Sequence, residues 1–88
     1  MADPNASIET ALQVFGAKIR ACRRELGLSQ QKLANKTGMD RGYIGDIELG
    51  KGNISLTKIL ALASALDVPP SSLLSDLDKR ADLYRLPD

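Results

Sequence analysis

The chain has 88 residues and a net charge of +1, with one cysteine, no histidine, no tryptophan and only three aromatic side chains. A lone cysteine forms no internal disulfide, and without histidine one chain builds no zinc site, Ser-His-Asp triad or cysteine–histidine pair, so no enzyme, metal or cofactor is expected. No apolar run approaches the roughly 20 residues of a membrane span, and the opening MADPNAS lacks the regions of a secretory signal, so a cytoplasmic protein is expected.

The length suits one small domain with an aliphatic core. Residues 1–7 read as a loose, polar arm. From about Ile8 the pattern turns helical, with Leu12, Phe15, Ile19, Cys22 and Leu26 recurring on one face at spacings of three and four. Cys22 lies in that stripe and reads as a core thiol. Gly27 supplies a left-handed stop.

Ser29 offers an N-cap oxygen to a short second helix whose Leu33 and Ala34 face inward, and Gly38 ends it. Asp40 is placed to cap a third helix, with Ile44 and Ile47 inward and Gly50 at its end. After the KGN turn, Ser55 caps a fourth helix with Leu56, Ile59, Leu60, Ala63 and Leu66 on its inner side. Pro69-Pro70 stops it, and Pro70 is pre-shaped for the first turn of a fifth helix through Ser71–Leu74. Leu77, Leu83 and Tyr84 allow a polar sixth. Nothing alternates as a strand does. The expected fold is all-α, with five or six short helices, a domain over residues 8–77 and a polar tail over 78–88.

Two features point beyond the fold. Residues 16–53 carry eight basic against four acidic side chains, whereas residues 54–88 carry four against five, so the positive charge belongs to one half. The third helix also holds Gly42 and Gly45 in its interior, each costing about 1 kcal/mol relative to alanine. The second and third helices are joined by a short glycine turn, the spacing of a helix-turn-helix.

The residues sharpen that spacing. S-Q-x-x-L-A at Ser29, Gln30, Leu33 and Ala34 is followed by G-M-D-R at Gly38–Arg41. Then come Y-I-x-x-I-E-x-G at Tyr43, Ile44, Ile47, Glu48 and Gly50, and NISLTKILALASALDV in the fourth helix. From about Phe15 to Leu74 the chain resembles the lambda-repressor-like (Cro/C1-type, XRE) family. D-R-G-Y-I and G-N-I-S-L look most like the controller proteins of restriction–modification systems.

The resemblance implies a third helix, about residues 41–49, in the DNA major groove and a second helix across the backbone. Gln30, with Gln31 beside it, then stands where backbone N–H groups and a side-chain amide meet a phosphate; alternatively it is an ordinary exposed first-turn residue. Arg41 can fork onto O6 and N7 of guanine or remain solvated, although a cation at a helix N-terminus sits against the dipole. Tyr43 can touch a thymine methyl or a phosphate, or pack on the second helix. Asp46 can accept from cytosine N4 or repel wrong sequences. Gly42 and Gly45 can let the helix axis approach the groove closely, or be tolerated drift from serine or alanine.

The resemblance further implies a largely buried ion pair between Arg23 and Glu48. Leu49 departs from the arginine or asparagine usual in the family, so Lys51 or Asn53 is the candidate for the lost phosphate contact. Dimerisation is implied through Leu73, Leu74 and Leu77. The functional expectation is a homodimeric, sequence-specific regulator on a palindromic operator of double-stranded DNA. An antitoxin using the ADLYRLPD tail, or an interaction module that no longer binds DNA, are the competing readings.

Overall fold

The computed structural model describes residues 10–86. They form α1 (Ala11–Glu25), α2 (Gln30–Thr37), α3 (Arg41–Glu48), α4 (Leu56–Leu66) and α5 (Pro70–Leu74), then two 3-10 turns, Ser75–Leu77 and Ala81–Leu83. The described residues contain no strand, and the fold is all-α as expected. None of their helices is long and apolar enough to cross a membrane. The allowed sixth helix is replaced by the 3-10 turns. Asp76, Asp78, Lys79, Arg80 and Asp82 leave too narrow an apolar stripe to pack a helix there, and packing supplies most helical stability.

The N-terminal arm and Ile8 lie outside the described residues. The helix begins behind Thr10, whose backbone is extended and whose hydroxyl accepts from the Gln13 N–H at 3.1 Å. The Thr10 N–H in turn donates to Gln13 Oε1 at 2.8 Å, completing a capping box. Arg23 and Arg24 in the last turn suit the negative end of the helix dipole.

Phe15, Ile19 and Cys22 of α1 meet Leu33 and Ala34 of α2, Ile44 and Ile47 of α3, Leu62, Ala63 and Leu66 of α4, and Leu73 of α5 in one core. Some expected core residues lie outside it. Leu12 is only half-buried and Leu26, beyond the end of α1, is exposed. Leu56 and Leu60 are 69% and 45% exposed. Ile59, Leu62, Ala63 and Leu66 already form the inward stripe of α4; Leu60 sits about 100° round from Ile59, and Leu56 overhangs the first turn.

Gly16 sets the distance between α1 and α3. A Cβ there would strike the carbonyl oxygens of Ile47 and Glu48, the latter at 2.7 Å, so only glycine lets the two backbones come this close. The α2–α3 turn is Gly38-Met39-Asp40. Gly38 takes the left-handed conformation (φ 74°), and Met39 donates its N–H to the Ala34 carbonyl at 3.1 Å. Asp40 occupies the N-cap position of α3, but its side chain makes no capping hydrogen bond.

Candidate nucleic-acid interface

The orientation of α3 is fixed from beneath by a buried ion pair. Arg23 donates from Nε to Glu48 Oε2 at 2.7 Å and from one terminal nitrogen to Oε1 at 2.9 Å. Its other terminal nitrogen donates to the Leu28 carbonyl at 2.8 Å, so the fork ties α1, the α1–α2 turn and the last residue of α3 together. Burial pushes the Glu48 carboxyl up. Hydrogen bonds from Arg23 and Gln30 and the charges of Arg23 and Arg20 outweigh it, holding the group below its ordinary 4.5. The hydrogen bond to Glu48 raises Arg23 above its ordinary value despite the opposing effect of burial.

With Ile44, Ile47 and Glu48 turned inward, Arg41, Gly42 and Asp46 lie exposed on the outer face of α3, and Leu49 follows at its C-cap. The structure therefore brings Arg41, Gly42, Gly45 and Asp46 together on one outer surface. Neither interior glycine is needed by the backbone, because both have ordinary negative φ. Nor does packing within the chain need them. A Cβ on Gly42 would meet nothing within 4 Å, and one on Gly45 would make only ordinary contact with the Gln30 amide at 3.8 Å. Both outward positions are bare without an internal cause.

Gln30 opens α2 against this surface, but its side chain is already engaged. Nε2 donates to Glu48 Oε1 at 3.2 Å, leaving one of its two N–H donors for a phosphate. Gln31 is exposed beside it and donates to Asn35 at 2.9 Å. Lys51 and Asn53 are exposed in the loop after α3, and the Lys51 N–H binds that loop to the Asp46 carbonyl at 2.9 Å. Tyr43 is half-buried and packs on the core, with Lys58 of α4 4.2 Å from its ring centroid. The cation favours the electron-rich ring face, a partner the sequence reading did not anticipate.

Sequence reasoning missed Arg20. It lines a shallow hollow of about 280 Å³ with Arg23, Gln30, Gly45, Glu48 and Leu49, so it borders the outer face of α3. Its place one helical turn before Arg23 was the available signal. Among the residues expected at a dimer interface, Leu73 is 1% exposed and belongs to the core of its own chain. As the inward residue of a five-residue helix it has no side free for a second copy. Leu77 is half-buried, and Leu74 is 43% exposed.

Comparison with known proteins places this arrangement. A family described as helix-turn-helix matches residues 19–73, the span holding the ion pair, the glycine turn and α3. The chain belongs to the helix-turn-helix family. It is of the Cro/C1 (XRE) type, whose members are DNA-binding transcription regulators and not enzymes. The control protein C.BamHI of Bacillus amyloliquefaciens is 44% identical over 62 residues, covering 69% of this chain and 76% of that protein. The crystal structure of the restriction–modification controller protein C.AhdI from Aeromonas hydrophila superposes with a TM-score of 0.69. It is 48% identical and covers 70% of this chain and 94% of its own. SinR, a master regulator for biofilm formation crystallised in complex with DNA, gives a TM-score of 0.64 at 33% identity, over 68% of this chain and 97% of its own. In this helix-turn-helix chain α3 stands in the position of the recognition helix.

Proposed function

We propose that this protein is a sequence-specific controller of transcription that binds a palindromic operator as a homodimer, with α3 of each protomer in the major groove. The open outer face of α3 carries this reading: an exposed arginine in its first turn, two bare glycine positions, and a buried ion pair holding the helix in place. Arg41 reads a guanine edge, and Gln30, Gln31, Lys51 and Asn53 hold phosphates that set the register. Asp46 accepts from a cytosine amine or repels sequences that lack one. Similarity to C.BamHI and C.AhdI favours a controller of restriction–modification genes.

One recognition helix spans only a few base pairs, so two copies are needed for a specific site. Leu74, with Leu77 beside it and the exposed Leu56 and Leu60 of α4, supplies the apolar surface for the second copy. Footprinting and stoichiometry on a duplex selected from random DNA test this. Two protected half-sites about 10 base pairs apart, with two chains per duplex, are expected. One chain on one half-site contradicts it.

A further inference from the structure

Leu49 has no use in the fold and sits where the chain would touch DNA. It is 59% exposed, although its neighbours Ile47 and Glu48 are buried. Its backbone continues the helical conformation of α3 (φ −87°, ψ −4°), so it lies on the outer face about 20° round from Gly42, seven residues back, and about 40° from Gly45, four back. Gly42 and Gly45 are bare, so Leu49 projects from that face with no side chain at either of these positions, and Arg41 stands at the other end of the helix, about 80° round. Eight residues of helix separate Arg41 and Leu49 by about 12 Å along the axis of α3.

The surroundings of Leu49 carry a net positive charge. The hollow beside it is lined by Arg20, Gln30 and the mutually paired Arg23 and Glu48, and Lys51 stands exposed two residues on. Cores of protein–protein interfaces are depleted of charge. An apolar group with a cationic rim matches a DNA groove instead, where phosphates flank base edges and the one apolar group on the groove floor is the thymine 5-methyl.

We infer that Leu49 reads sequence by packing against the 5-methyl of a thymine in the same half-site as the guanine met by Arg41. The inference rests on the reading that α3 enters the major groove. It gives the chain a second specificity determinant, apolar where Arg41 is polar.

The test uses the full chain and a duplex it selects from random DNA, with each thymine replaced singly by deoxyuridine. That replacement deletes the methyl and keeps base pairing. At one position per half-site the wild-type protein should lose about fourfold in affinity, the equivalent of one buried methyl-sized group. Leu49→Ala, a surface change that leaves the core intact, should bind the parent duplex more weakly and show no loss at that position. If Leu49→Ala retains the wild-type response at every thymine, or the wild type responds at none, the inference is overturned. If the wild type selects no sequence at all, the groove-binding reading beneath it fails first.

Discussion

Gln30 donates its side-chain amide to Glu48 across 3.2 Å, joining the first residue of α2 to the last residue of α3. Glu48 is in turn held by both arms of the Arg23 fork. The residue proposed to meet phosphate and the helix proposed to read bases therefore share one buried carboxylate. On the proposed function, this bond couples backbone grip to base reading.

Removing that carboxylate strands Arg23. Glu48→Ala should cost about 3–5 kcal/mol, and replacing both partners with apolar residues should cost less than the two single changes together. Denaturant unfolding of the four proteins checks this. The pair also sets an acid dependence. Because the folded-state value of Glu48 lies below 4.5, its contribution is complete above the unfolded value and is lost as pH falls through the folded one. The wild type should lose stability below about pH 4.5 more steeply than Glu48→Gln; parallel curves would contradict this.

Gly16→Ala tests the close approach of α1 and α3. The new Cβ would meet backbone carbonyls, which cannot swing aside as a side chain can. A loss of at least about 1–3 kcal/mol is expected, despite alanine's better helix propensity, and a stabilised Gly16→Ala protein would contradict the packing described.

Gly45→Ala should behave oppositely in the free protein. The site has room, so the change should stabilise α3 by up to about 1 kcal/mol. It should nevertheless weaken DNA binding, if the bare backbone serves close approach. Thermal melts and titrations on one duplex decide; gained stability with full affinity would show that the glycine is merely tolerated.

The fold was legible because its punctuation is local. Ser29, Gly38, Ser55 and Pro70 mark helix ends through their own side chains or backbones, and the structure uses each in that way, although α4 is closed by the left-handed Asp67 and not by the proline pair. What escaped depends on neighbours distant in sequence. Thr10 and Gln13 did carry a readable capping-box signal, but the need for Gly16 arises only where α3 crosses α1. Leu60 and Leu73 look alike as apolar helix residues, and only the placement of α4 and α5 separates the exposed one from the buried one. At the site, the outward set on α3 followed from helical periodicity. The bond from Gln30 to Glu48 and the place of Tyr43 beside Lys58 depended on tertiary packing.

Leu74 carries the dimer prediction. Sedimentation at micromolar concentration should show a dimer of the wild type, and Leu74→Asp should shift it to monomer while its helical content stays unchanged, since the side chain is 43% exposed. A wild type that remains monomeric with and without DNA would contradict it.

The most direct test of sequence reading by α3 is selection from random DNA by the wild type, Arg41→Ala and Lys51→Ala, followed by salt-dependent titration. The wild type should select a palindrome with a guanine in each half-site. Arg41→Ala should lose about 1–3 kcal/mol on that site and relax preference at one base pair per half-site. Lys51→Ala should bind all sequences more weakly, with a shallower salt dependence and the same preferences. Unchanged preferences in Arg41→Ala, or no enriched sequence for the wild type, would contradict the account.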